Sequence, residues 1–177
     1  MKIGIVRHFK VDYKAKTFMN SEDFIDYVNG YNNASVIENE VNLTKGMWNK
    51  CYCSDMPRAI KTAESIYDGE IIKSELLREV NMYPRRETKI RIPTLIWSIT
   101  SRIAWKYNKE SQKEGIDKTK ERAKAFVQSL DLSSNDNILL VTHGFFSITL
   151  IGELRKLGFN GRIPKNMKNG YLYILEK

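Results

Sequence analysis

Strand-length apolar runs that alternate with helix-length amphipathic stretches predict a three-layer α/β/α sandwich around a largely parallel central sheet. Two further observations support that class. Residues 138 to 141, Ile-Leu-Leu-Val, are apolar without alternation, as a strand covered on both faces requires. The chain has 177 residues, of which 42% are hydrophobic, with ten glycines and four prolines, so it suits one packed domain with at most a modest insertion.

The elements follow in order. Residues 2 to 6 form a first strand, and residues 23 to 28 have helical spacing that is expected to break at Asn29-Gly30. Trp48 to Cys53 reads as a strand. Ser54 or Asp55 then caps a helix with Pro57 in its first turn, ending near Tyr67. Residues 70 to 74 suit another strand. Between 94 and 107, Leu95, Ile96, Ile99, Ile103 and Tyr107 recur at three- and four-residue intervals and mark an amphipathic helix, with Trp97 and Trp105 as packing groups. The helix over 117 to 130 turns Ala123, Phe126, Val127 and Leu130 inward. The strand at 138 to 141 leads through Thr142-His143-Gly144 into a helix over 146 to 157, closed by Gly158. A last strand covers 171 to 175.

The start, Met1-Lys2-Ile3-Gly4-Ile5-Val6, lacks the apolar core of a secretory signal, and no apolar run is long enough to span a bilayer, so no membrane partner is expected. Cys51 and Cys53 are expected to point to opposite faces of a strand, which makes them a poor disulfide or metal pair and leaves them as buried thiols. A cytoplasmic location follows from these readings. Twenty-nine Lys and Arg against twenty-one Asp and Glu give a net charge of +8, which attracts anions of any class. No helix-turn-helix, zinc-finger or aromatic RNA-binding signature accompanies that charge, so no nucleic-acid partner is expected. Oligomeric state has no signal in the sequence.

In open α/β sheets, sites gather beyond the carboxyl ends of the strands. Three strand ends carry polar residues here: Arg7 and His8; Ser54, Asp55 and Arg58; Thr142, His143 and Gly144. The chain's two histidines both sit at such ends. Guanidinium groups match phosphate oxygens and stay charged, while a neutral imidazole is a nucleophile. The start of the helix after His143 adds backbone N–H donors. The combination predicts an anion pocket with a nucleophile in it. Neither a His-x-x-x-His nor a Cys-x-x-Cys spacing exists, and arginines repel a cation, so neither a metal nor any other cofactor is expected. A Gly-x-x-x-x-Gly-Lys loop and a Cys-x-x-x-x-x-Arg loop are also absent.

Arg7-His8, the run Ser54-Asp55-Met56-Pro57-Arg58-Ala59-Ile60-Lys61-Thr62-Ala63, Leu77-Arg78-Glu79 and Thr142-His143-Gly144 stand in the order of a known signature. The chain resembles the histidine phosphatase superfamily, also called phosphoglycerate mutase-like. The resemblance implies one such domain over residues 1 to 177, with a helical insertion or lid at about 80 to 116. It implies a metal-independent phosphomonoesterase in which His8 becomes phosphorylated, Arg7, Arg58 and His143 bind the phosphoryl oxygens, and Glu79 handles the leaving-group proton. The substrate would be a phosphorylated small molecule or a phosphoprotein. Alternatives within the fold are a phosphate-recognising module with little turnover and a mutase-type phosphotransferase. The sequence departs from the family at Phe9, where a glycine is usual, with Lys10 and Lys14 as candidates for the missing donors. Specificity is expected from the insertion, with the basic run Arg85 to Arg91 and the aromatics Tyr83, Trp97, Trp105 and Tyr107 as a lid over the site.

Overall fold

The computed structural model describes every residue of 1–177 except Lys45. In chain order its elements are β1 (Lys2–Arg7), β2 (Lys10–Val11), β3 (Phe18–Met19), α1 (Ser21–Asn33), β4 (Val36–Ile37), β5 (Lys50–Ser54), α2 (Pro57–Ile66), β6 (Ile71–Ser74), β7 (Ile92–Pro93), α3 (Thr94–Lys106), α4 (Ile116–Ser129), β8 (Ile138–Thr142), α5 (Phe146–Lys156) and β9 (Leu172–Glu176), with a short 3-10 turn at Glu75–Leu77. Five strands form the main sheet in the order β6-β5-β8-β1-β9. All its pairings are parallel except β1 with β9. Two short ribbons, β2 with β4 and β3 with β7, lie outside it.

Alternation along the central strands divides the core into two halves. Ile3, Ile5, Ile138 and Leu140 pack with Phe126 and Val127 of α4 and with Leu150 and Leu154 of α5. Val6, Leu139 and Val141 pack on the opposite face with Trp48 and with Ala59 and Ala63 of α2. This is the three-layer α/β/α arrangement. Gly4 is required at its position, because a Cβ there would lie 2.5 Å from the Trp48 ring.

Five local expectations are corrected. Helix α1 does not break at Asn29-Gly30; Asn20 and Asp23 close a capping box at its start, and packing carries it on to Asn33. Cys51 and Cys53 share one face, because residues two apart on a strand point the same way. They are free and buried, and burial lifts the thiols to about 12 and about 11. The N-cap of α2 is Met56 rather than Ser54 or Asp55. Trp48 precedes β5 instead of forming part of it. Helix α3 inserts Trp97, Ser101 and Ala104 into the molecule and leaves Leu95, Ile96, Ile99, Ile103 and Tyr107 exposed.

Candidate active site

Strands β1 and β8 run parallel in register, with Arg7 opposite Thr142, so His8 and His143 leave the sheet side by side. Their ring centroids are 5.0 Å apart. Both side chains are buried; His8 lines a pocket of about 360 Å³ that also takes in Arg7, Arg58, Glu79 and Arg102, and His143 lies beside His8 without lining it.

The tautomer of His8 is fixed from both sides. Its Nδ1 stands 2.6 Å from the Phe9 carbonyl oxygen, which can only accept, so Nδ1 carries the proton. Nε2 accepts from Arg58 Nε–H at 3.2 Å, so its lone pair is unprotonated and directed at Arg58. Burial, then the charges of Arg58 and Arg7, push the imidazole down to about 3, against the opposing pull of the Phe9 carbonyl. His8 is neutral at any ordinary working pH. His143 is fully buried and held well below 6.5, again by burial first and then by Arg58. Neither of its ring nitrogens has a partner among the described residues, and the same is true of Arg7 Nε.

Arg7 is tethered through Nη1 to the Met167 carbonyl oxygen at 2.8 Å. Gly144 allows its guanidinium to lie where it does, since a Cβ at 144 would come within 2.8 Å of Arg7 Nε. Arg58 donates through Nη1 to Asn32 and lies over the Tyr31 ring. Burial lowers its pKa, and the carboxylate of Glu79 opposes that shift.

Glu79 is not a surface residue paired with Arg78. Its carboxylate accepts from the backbone N–H groups of Phe145 and Phe146 at 3.1 and 2.9 Å, and from Val80 N–H at 2.9 Å. It thus occupies the N-terminus of α5, and two of the donors that the sequence reading offered to the substrate serve Glu79 instead. The remaining expected residues build the frame. Thr142 Oγ1 donates to Leu77 O, Ser54 Oγ accepts from Met56 N–H, and Asp55 pairs with Arg78. Thr62 Oγ1 accepts from Phe9 N–H at 2.9 Å and donates to Arg58 O at 2.7 Å, which ties the loop after His8 to α2.

Phe9 is buried and its side chain does not line the pocket. Lys10 and Lys14 are exposed and do not line it either. Nor do Tyr83, Trp97, Trp105, Tyr107 or the run from Arg85 to Arg91. Trp97 donates to Met19 O, and Trp105 packs edge-on against Phe145. The aromatic walls are Tyr27, Tyr31 and Phe145, with Lys165 and Arg102 as further cations. Arg102 stacks on the Phe145 ring at 3.7 Å and donates to Val80 O at 2.9 Å. A lone arginine within a helix gave the sequence reading no means of finding it. Among the described residues no group of three or more His, Cys, Asp or Glu is placed to hold a metal ion.

No curated protein matches the chain in sequence. Solved structures share its fold. Bacillus stearothermophilus YhfR superposes with a TM-score of 0.61 at 21% identity, covering 99% of this chain and 90% of its own. Alpha-ribazole phosphatase from Shigella flexneri gives 0.59 at 16%, covering 98% and 89%. Phosphoserine phosphatase from Entamoeba histolytica, in a mutant bound to phosphoserine, gives 0.56 at 14%, with the same coverage. Residues 3–177 match the family model of the histidine phosphatase superfamily, branch 1, and with Arg7, His8 and Arg58 lining one pocket and His143 buried beside His8 the chain belongs to that superfamily.

Proposed function

We propose that the chain is a metal-independent phosphomonoesterase that works through a phosphohistidine on His8. The observation that carries this reading is the state of His8: a neutral imidazole, proton fixed on Nδ1, with Nε2 held against Arg58 in a pocket that Arg7 also lines. A phosphoester dianion entering the pocket draws the donors of Arg7 and Arg58 onto its oxygens and frees the Nε2 lone pair from Arg58. Nε2 attacks phosphorus in line, an N–P bond forms, and the P–O bond to the leaving alcohol breaks. The arginines and His143 stabilise the charge spread over the equatorial oxygens.

The leaving oxygen needs a proton, and Glu79 is the carboxylic acid within the pocket. Oε2, which accepts only from Phe145 N–H, carries a proton taken from solvent and passes it to the leaving oxygen as the P–O bond breaks, while Oε1 keeps its bonds from Phe146 and Val80 N–H. After the alcohol departs, the same group accepts a proton from the water that attacks the phosphohistidine, and phosphate leaves. Phe9 is packed away from the pocket, so its departure from the family pattern gives no reason to favour a recognition module without turnover.

The test is hydrolysis of para-nitrophenyl phosphate in EDTA. Wild type is expected to turn over, and His8→Ala to lose at least a thousandfold in kcat while keeping its circular dichroism spectrum. Activity that EDTA removes, or that survives His8→Ala, would overturn the reading. Vanadate binding without turnover would support the recognition module.

A further inference from the structure

We infer that the outer face of α3 is a docking surface for an anionic lipid bilayer. This inference is independent of the proposed activity. Leu95, Ile96, Ile99, Ile103 and Tyr107 are between 43 and 69% exposed and follow one another along a single side of the helix. At about 1.5 Å per residue the stripe is roughly 18 Å long. Isolated exposed apolar residues are ordinary on a protein surface, but a contiguous aliphatic face of this length is not. Phe18 and Ile90, in and beside the ribbon that leads into α3, are exposed as well.

Charge identifies the occupant. From residue 85 to residue 109 the chain carries seven Lys and Arg and a single acidic residue, Glu87, which is +6 of the whole chain's +8. Arg85, Arg86, Lys89, Lys106 and Lys109 are exposed and form no ion pair among the described residues. A second copy of the chain on this face would bring two such segments together and meet their repulsion. A bilayer containing acidic lipid takes the aliphatic side chains into its interfacial region while its headgroups neutralise the surrounding cations. No helix is long and apolar enough to cross a membrane, so the contact proposed is peripheral. This revises the expectation of no membrane partner, which rested on the absence of a spanning run.

The face needs no change in fold to act, because it already points outward, and substitutions on it remove no buried contact. Arg102, about 20° round the axis from Leu95 and so at the edge of the stripe, lines the pocket, and a bilayer on the stripe would lie close to the pocket mouth.

The experiment is co-sedimentation of the full chain with vesicles of phosphatidylcholine alone and with about 30% phosphatidylserine, at low and at physiological salt. Binding is expected to be at least tenfold tighter to the acidic vesicles and to weaken with salt. The variant L95S/I99S/I103S should lose at least tenfold of that binding, and R85S/R86S/K89S a comparable amount, while both hydrolyse para-nitrophenyl phosphate at the wild-type rate. Equal or absent binding to the two vesicle types would overturn the proposal. So would unaltered binding by L95S/I99S/I103S, or a dimer in sedimentation velocity that this variant abolishes, which would assign the face to a second copy. Capture of an acidic protein through the stripe, without vesicle binding, would overturn it equally.

Discussion

Acidification from pH 7 to pH 5 perturbs the two histidines of the pocket and little else that is buried. In the folded chain His8 is held to about 3, by burial and by Arg58 and Arg7, and His143 well below 6.5, by burial and Arg58. Unfolding releases both to titrate near 6.5. The unfolded chain therefore binds more protons in this range, and stability must fall as the pH is lowered. Each histidine contributes its full share above about pH 7, and loses it progressively as pH falls from 6.5 toward the folded value. Between pH 7 and pH 5 the loss from His8 is about 1.9 kcal/mol, from about 1.4 kcal/mol per pH unit below 6.5, and His143 adds a loss of the same sign. The His8 share alone is a sizeable fraction of the roughly 5–15 kcal/mol typical of a domain.

Equilibrium urea unfolding, followed by tryptophan fluorescence at pH 7, 6 and 5, measures this directly. The result does not depend on whether His8 titrates at 3 or at 4, since both lie below the window. Asp23, Asp131 and Asp136 are also depressed in the folded state, by hydrogen bonds from Lys16, from Ser133 and from Lys50 respectively, but they titrate below the window. His8→Gln should lose about 1.9 kcal/mol of that pH dependence and keep the part due to His143. A stability that stays flat from pH 7 to 5, or a full slope in His8→Gln, would show that the folded pocket accepts protons and that the neutral-nucleophile argument is wrong.

Four further outcomes are expected. Gly144→Ala places a Cβ within 2.8 Å of Arg7 Nε and should lower kcat/KM at least tenfold in the phosphatase assay, with the guanidinium displaced from its place beside His143. Arg58→Lys loses the donation to His8 and to Asn32, so kcat should fall about 10²–10³-fold while the fold survives, as read by kinetics and circular dichroism. Gly4→Ala drives a methyl group to 2.5 Å from a buried indole and should cost about 1–3 kcal/mol in urea unfolding. Gly30→Ala should instead stabilise by roughly 0.5–1 kcal/mol through helix propensity, because its Cβ meets only the outer part of the Tyr13 side chain, Oη, Cζ and Cε2, and that residue is 42% exposed and can swing toward solvent.

The central features of the pocket were legible because they are local. Arg7-His8 and His143-Gly144 each end an apolar run, and Arg58 to Ala63 form one continuous motif, so strand ends and a helix start could be located without any tertiary knowledge. Glu79 was found through the motif, but its contacts were not. That its carboxylate would take the first N–H groups of α5 depends on how the chain returns from β6, which no short-range pattern encodes. Arg102, Tyr31 and Asn32 are single residues within helices, and only the packing of α1 and α3 brings them to the pocket. Helix α1 persists through Asn29-Gly30 because tertiary contacts on its Phe24 and Tyr27 side outweigh the weak local preference of that dipeptide for a turn.

Helix α3 shows the limit of periodicity most clearly. A repeat of three and four residues establishes that a helix has two unlike faces, and the usual inference is that the more apolar face is buried. Here the other face is held in place by specific bonds. Trp97 donates to Met19 O, Ser101 donates to Tyr83 O, and Ala104 is small enough to sit against the body of the molecule. At about 100° per residue, Ile99 and Leu95 lie about 200° and 160° round the axis from Trp97, so seating the indole inward turns them out. The same seating places Arg102 at the pocket wall. Rotating α3 to bury its aliphatic stripe would expose Trp97 and withdraw Arg102 from Val80 and Phe145. The orientation observed therefore completes the pocket and leaves the stripe outside, facing solvent.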